Sequence, residues 1–162
     1  MSKDLLLITP PFTQLNTPYP ATAYLKGFLN TKNISSFQMD LGIEVILVLF
    51  SRKGLTQLFE FAASNSPKKT NLSELDWSEN AQRIFALQED YILTIDSVIL
   101  FLQGKNQNLA RQICSYNFLP QASRLKAATD LEWALGNMGL QDQAKHLATL
   151  YLEDLSDFIV DY

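Results

Sequence analysis

A chain of 162 residues, 47% of them apolar, is the size of one globular domain able to bury about 70% of its unfolded surface. Its net charge of −4 leaves no basic footprint for nucleic acid, and Lys68-Lys69, beside a proline turn, reads as a solvated loop. The single cysteine, Cys114, excludes an intramolecular disulfide and a cysteine-rich metal or iron–sulfur site within the chain.

Met1 to Asp4 includes an acid and Pro10-Pro11 cuts the following apolar run short, so no secretory signal is read. Leu5-Leu6-Leu7-Ile8 is continuously apolar, which predicts a strand covered on both faces. Pro10-Pro11 must end it, because proline cannot donate to the ladder. A polar loop runs from Phe12 to Tyr19, and Pro20 suits the first turn of a helix. The expected buried stripe of that helix is Ala23, Tyr24, Gly27 and Phe28, with Gly27 allowing close approach to the sheet. Asn33 is its expected stop, and Ile34 to Met39 alternates as a second strand, parallel to the first through a right-handed crossover.

Asp40 is placed to cap a helix from Leu41 to about Arg52. Leu41, Val45, Val48 and Leu49 form its stripe, and Ile46, Leu47 and Phe50 widen it until burial on most sides is expected. The run from Val45 to Phe50 is the longest apolar stretch, far short of the ~20 residues of a membrane helix. These features predict a soluble, cytoplasmic chain.

Gly54 is read as a break, after which Leu58, Phe59 and Ala62 resume in register, and Ser64 to Asn71 is read as a loop. Ile84, Leu87, Tyr91, Ile95, Val98, Ile99 and Leu102 repeat at helical spacing up to Gly104; a strand over Ser97 to Leu102 is the alternative. A short helix over Leu109 to Tyr116 is closed by Pro120. Leu125, Ala128 and Leu131 continue toward Gly136 and Gly139. The last helix puts Ala144, Leu147, Ala148, Tyr151, Leu155 and Phe158 on one face. The fold class is therefore a βαβ start with two parallel strands, a partial flavodoxin-like sheet, followed by a mainly α-helical remainder. The domain reading is a βαβ unit over 1–54 and a helical region over 55–162 packed on it, as one compact domain.

Open parallel sheets bind ligands beyond the carboxyl ends of their strands. Here that rim carries Thr13, Gln14, Asn16, Thr17 and Tyr19 after the first strand and Asp40 after the second. The plainer reading has Asp40 only capping its helix while Asn16 and Thr17 satisfy their own turn. With no glycine, the loop carries neither a dinucleotide fingerprint nor a phosphate cradle. His146, one turn after Asp142, reads as half of an exposed helical Asp–His pair, and Cys114, with Ile113 and Tyr116 as neighbours, as an inert buried thiol. Glu44 is either on the exposed strip of its helix or buried with a partner such as Arg52. Glu153, Asp154 and Asp157 oppose the dipole at the end of the last helix, which favours either a chain continuing past Tyr162 or a cationic partner, a solvated acidic face being the plainer reading.

The strand ending in Pro10-Pro11, the block Tyr19-Pro20-Ala21-Thr22-Ala23-Tyr24-Leu25-Lys26-Gly27 and the strand ending at Asp40 resemble the start of cobalamin-binding-domain radical S-adenosylmethionine proteins. Phe101-Leu102-Gln103-Gly104-Lys105 with Phe118-Leu119-Pro120, and the block from Ala144 to Leu155, are similar to one bacterial branch of that family. The resemblance implies a flavodoxin-like sheet continued by further strands and then a barrel. In the family, the barrel's Cys-x-x-x-Cys-x-x-Cys motif holds a [4Fe–4S] cluster and S-adenosylmethionine. Asn16, Thr17, Tyr19 and Asp40 would then contact a cobalamin or shape its pocket. With one cysteine and no Asp-x-His-x-x-Gly motif, the chain is read as an N-terminal piece, inactive in isolation, whose partner is the remainder of its own polypeptide. An isolated piece of this kind is expected to self-associate. The rival readings are a helical interaction module without enzymatic activity and a stand-alone small-ligand binder.

Overall fold

The computed structural model describes residues 4–11, 20–65, 77–115, 117–130 and 138–161. It is mostly α-helical with a small parallel α/β start, as the sequence predicts. Internal contacts divide the chain into two compact units, Met1–Leu49 and Phe50–Tyr162.

The first unit consists of β1 (Leu5–Thr9), α1 (Ala21–Thr31), β2 (Ser36–Asp40) and α2 (Leu41–Leu49). The strands pair in parallel, in register from Leu5 with Ser36 to Thr9 with Asp40. Helix α1 starts after Pro20, whose carbonyl accepts from the Tyr24 N–H at 3.0 Å. It stops where expected: Asn33 takes the left-handed conformation at φ 54°. The Ile34 N–H then returns to the Leu29 carbonyl and the Asn33 N–H to that of Asn30, both at 3.1 Å. This is a Schellman closure with asparagine in glycine's usual place.

Three expectations about burial are corrected by the structure. Helix α1 lies on the sheet through Thr22, not through the Ala23–Tyr24–Gly27–Phe28 stripe. The Thr22 hydroxyl accepts from Gln38 Nε2 at 2.9 Å and lies 3.4 Å from Thr9 Oγ1, which fixes the helix rotation. Tyr24 is left 76% exposed, and a Cβ added to Gly27 would touch nothing within 4 Å. Phe28 is also exposed, with Lys32 Nζ 5.6 Å from its ring centroid.

Nor are the strands covered on both faces. Alternation puts Leu7, Thr9 and Gln38 on the α1 side and Leu6, Ile8 and Phe37 on the other, where Leu6 is 55% and Phe37 59% exposed. The apolar α2 is likewise not buried on most sides, since Ile43, Val45, Leu47 and Val48 are all exposed.

In the second unit α2's successor, α3 (Arg52–Asn65), begins before Gly54 rather than after it. Ser51 is the cause, because its Oγ accepts from the Gly54 N–H at 3.0 Å and makes Ser51 the helix cap. Then follow α4 (Glu79–Ala86), α5 (Gln88–Leu102), a 3₁₀ turn at Gln107–Leu109, α6 (Ala110–Ile113), α7 (Ser123–Asp130) and α8 (Leu140–Asp161). Ser97 to Leu102 is helical, not a strand. Gly104 ends α5 at φ 76°, with the Gly104 N–H on the Phe101 carbonyl and the Lys105 N–H on that of Leu100, both at 2.9 Å. The expected helix residues 131–137 and the loop residues 66–71, with Lys68-Lys69, lie outside the described residues.

Helix α8 is the spine of this unit, with α4, α6 and α7 packed along it and α5 joining α3 to it. Its expected face is buried from Ala144 to Phe158. Phe158 meets Phe59 at 5.2 Å, Trp77 at 5.6 Å and Phe85 at 6.3 Å between ring centroids. Aromatic burial of this kind contributes several kcal/mol, because each ring removes a large area from water.

The two glycine environments predict opposite outcomes. Gly104→Ala has room for its Cβ, 3.6 Å from Gln107 Nε2, but must hold φ 76°. It should cost about 1–2 kcal/mol in urea unfolding followed by tryptophan fluorescence. Gly27→Ala, in open helix, should slow hydrogen exchange in α1 by about 0.5–1 kcal/mol of added protection.

Candidate functional site

At the carboxyl edge of the sheet, Thr9 and Asp40 stand side by side in register. Thr9 is buried and its hydroxyl turns to Thr22 rather than outward. Asp40 Oδ1 accepts from the Ile43 N–H at 3.2 Å, so its carboxylate caps α2. Asn16, Thr17 and Tyr19, with Thr13 and Gln14, lie outside the described residues. The polar groups described at this rim are engaged within the fold and do not by themselves form a set that holds a corrinoid. One cysteine cannot supply the three thiolates of a radical S-adenosylmethionine cluster.

The densest polar constellation lies in the second unit. Helix α7 begins after Ala122, which has no side chain able to cap. Its first three N–H groups are met from other helices instead. Asn80 Oδ1 of α4 accepts from the Ser123 N–H at 2.9 Å. Asp154 of α8 accepts from the Arg124 N–H at 3.1 Å and the Leu125 N–H at 3.3 Å, and from Asn80 Nδ2 at 3.2 Å. Asp154 is wholly buried, and that burial holds its carboxyl above the usual carboxylate range against the pull of these donors.

Arg124 closes the cluster at the surface. Its guanidinium donates to both oxygens of Asp157, at 2.7 and 2.9 Å, and to Glu153 at 3.1 Å. The bidentate pair with Asp157 raises the Arg124 pKa. Of the readings open for the acids of α8, the cationic partner is the one found for Glu153 and Asp157, and it comes from within the chain.

The same device recurs at two other helix starts. Asp96 Oδ1 of α5 accepts from the Arg52 N–H at 2.8 Å, and Asp161 Oδ2 at the end of α8 accepts from the Ser78 N–H at 2.8 Å. Arg52 pairs with Asp96 at 3.7 Å, and Glu44 is exposed. His146 is exposed as expected, but the ion pair described for Asp142 is with Lys145 at 3.6 Å rather than with His146. Cys114 is half-buried with Sγ 3.8 Å from the Leu140 carbonyl, and burial raises its thiol pKa, which suits an unreactive group. Among the described residues no group of three His, Cys, Asp or Glu side chains could hold a metal ion. Among them, too, no helix is long and apolar enough to cross a membrane.

Sequence reasoning found the acids of α8 but not their role. The signal available was the conjunction of Ala122 at a helix start with unexplained acids elsewhere. Compared with family models, with curated proteins and with solved structures, the chain has no significant match.

Asp154→Ala should destabilise the helical unit by about 2–3 kcal/mol in chemical denaturation, because it strands buried N–H donors. Asp154→Asn, which keeps one acceptor oxygen, should recover part of the loss. Asp161 titrates below the usual 3.8 because Ser78 donates to it. Its stabilising contribution is thus present above pH 3.8 and lost as pH falls through its lowered pKa. Asp161→Asn should flatten that acid limb in a pH series of thermal melts.

Proposed function

We propose that this chain is the N-terminal, cobalamin-binding-like region of a radical S-adenosylmethionine iron–sulfur enzyme, inactive in isolation and cytoplasmic. The observation that carries the reading is the exposed apolar sheet face of Leu6, Ile8 and Phe37. A parallel sheet is a buried element in α/β proteins, and two strands alone are marginally stable. Among the described residues β1 and β2 pair only with each other, so each has an open outer edge. Further strands and helices from the rest of the polypeptide would cover that face and those edges. They would also supply the cluster cysteines, of which this chain has only one, together with the S-adenosylmethionine site and the remaining corrinoid contacts. Asn16, Thr17, Tyr19 and Asp40 would then line one wall of the corrinoid pocket.

The outward Tyr24, Leu25 and Phe28 of α1 favour a second reading, a non-enzymatic module that docks a partner protein. The reading frame beyond Tyr162 separates the two. The enzyme reading expects further strands and a three-cysteine motif there, and a longer product that carries the absorbance bands of bound cobalamin. A frame that lacks that motif sinks it. A stable monomer of 1–162 in light scattering that binds neither cobalamin nor nucleotide supports the module.

A further inference from the structure

Tyr91 of α5 and Asp154 of α8 are both completely buried. Tyr91 stacks on Tyr151, with ring centroids 4.9 Å apart and planes inclined by 28°. The Tyr151 hydroxyl is well provided for: it donates to the Tyr91 carbonyl at 3.1 Å and lies 3.0 Å from Thr94 Oγ1. The Tyr91 hydroxyl has no hydrogen-bond partner among the described residues. A buried phenol without a partner costs a full desolvation penalty, so native structures almost always satisfy it.

Asp154 lies one turn beyond Tyr151 on the same face of α8. Its charge acts on the Tyr91 hydroxyl, adding to the effect of burial in raising that group's pKa. Asp154 Oδ1 takes two donors, but the one hydrogen bond described at Oδ2 is that from the Leu125 N–H at 3.3 Å. A carboxylate oxygen accommodates two donors, so Oδ2 retains capacity. The other charged groups here are Arg124, paired with Asp157 and Glu153 beside Asp154, and Arg83, which acts on Tyr91 and whose Nε donates to the Gln121 carbonyl at 2.7 Å. None of these is a hydrogen-bond partner of the Tyr91 hydroxyl.

We propose that an ordered water is bound in the core of the helical unit, accepting from Tyr91 Oη and donating to Asp154 Oδ2. Such a water suits a small polar site with at least two partners, whereas a cation would need more ligands than the described residues bring together. It joins the aromatic stack of α5 and α8 to the polar cluster of α4, α7 and α8.

A crystal structure of the intact chain that resolves solvent should place a water about 2.6–3.2 Å from both oxygens. A direct Tyr91–Asp154 hydrogen bond, or a Tyr91 hydroxyl bound to any other group, overturns the proposal. Independently, Tyr91→Phe removes the donor that anchors the water, so the Asp154 midpoint should rise by roughly one pH unit in carboxyl carbon NMR. An unchanged midpoint in a folded variant also overturns it. If the variant does not fold, the solvent position in the native crystal decides.

Discussion

Helix α7 begins at a residue that cannot cap it, and the polar interior of the helical unit is arranged around that fact. The first N–H groups of any α-helix lack partners inside the helix, and buried ones must find acceptors. Ala122 offers none, so Asp154 and Asn80 reach in from α8 and α4 and do what a local serine or aspartate would do. A cap supplied from another helix does more than satisfy donors. It ties the start of α7 to two particular places on two other helices. Apolar contacts alone fix position less sharply, because they are non-directional. The same principle places Asp96 at the start of α3 and Asp161 at the start of α4. Carboxylates near helix N-termini also complement the helix dipole, so acids that oppose the dipole of α8 favour those of α4 and α7.

The first unit is built on a different balance. Its crossover is held by the Thr9–Thr22–Gln38 contacts and by a short parallel ladder, while much of its apolar surface faces outward. The outward residues come in ordered sets, Leu6, Ile8 and Phe37 on the sheet and Tyr24 with Phe28 on α1. Isolated apolar residues on a surface are unremarkable, but contiguous sets mark surfaces that want cover. Among the described residues the apolar burial of the chain is concentrated in the helical unit, where Tyr91, Tyr151, Phe59, Phe101 and Phe158 are all enclosed.

Local signals were legible and tertiary ones were not. Pro10, Pro20, Asn33 and Gly104 each punctuate the chain through their own backbone chemistry, and the structure places an element boundary at each. The long helical repeat in α8 is equally direct, since a spacing of three and four residues leaves little choice of face. The side of α1 that meets the sheet is not legible in the sequence, because apolar residues are common on both of its sides. A buried threonine hydroxyl bonded across the sheet decided the rotation instead. Gly54 reads as a break because glycine weakens helices on average, whereas Ser51 supplies a cap that starts the helix just before it. Of the candidate rim, only Asp40 is described, and its carboxylate serves α2.

By itself, then, the sequence determined the mostly helical class, the parallel strand–helix–strand opening and the core face of α8. These follow from periodicity and from residues whose conformational preferences act within a few positions. Tertiary structure alone decided which acids are buried, which helix starts they cap and which apolar faces remain outside. Those outcomes depend on groups far apart in the chain, such as Asn80, Ala122 and Asp154. No local pattern records that one of them lacks what the others provide.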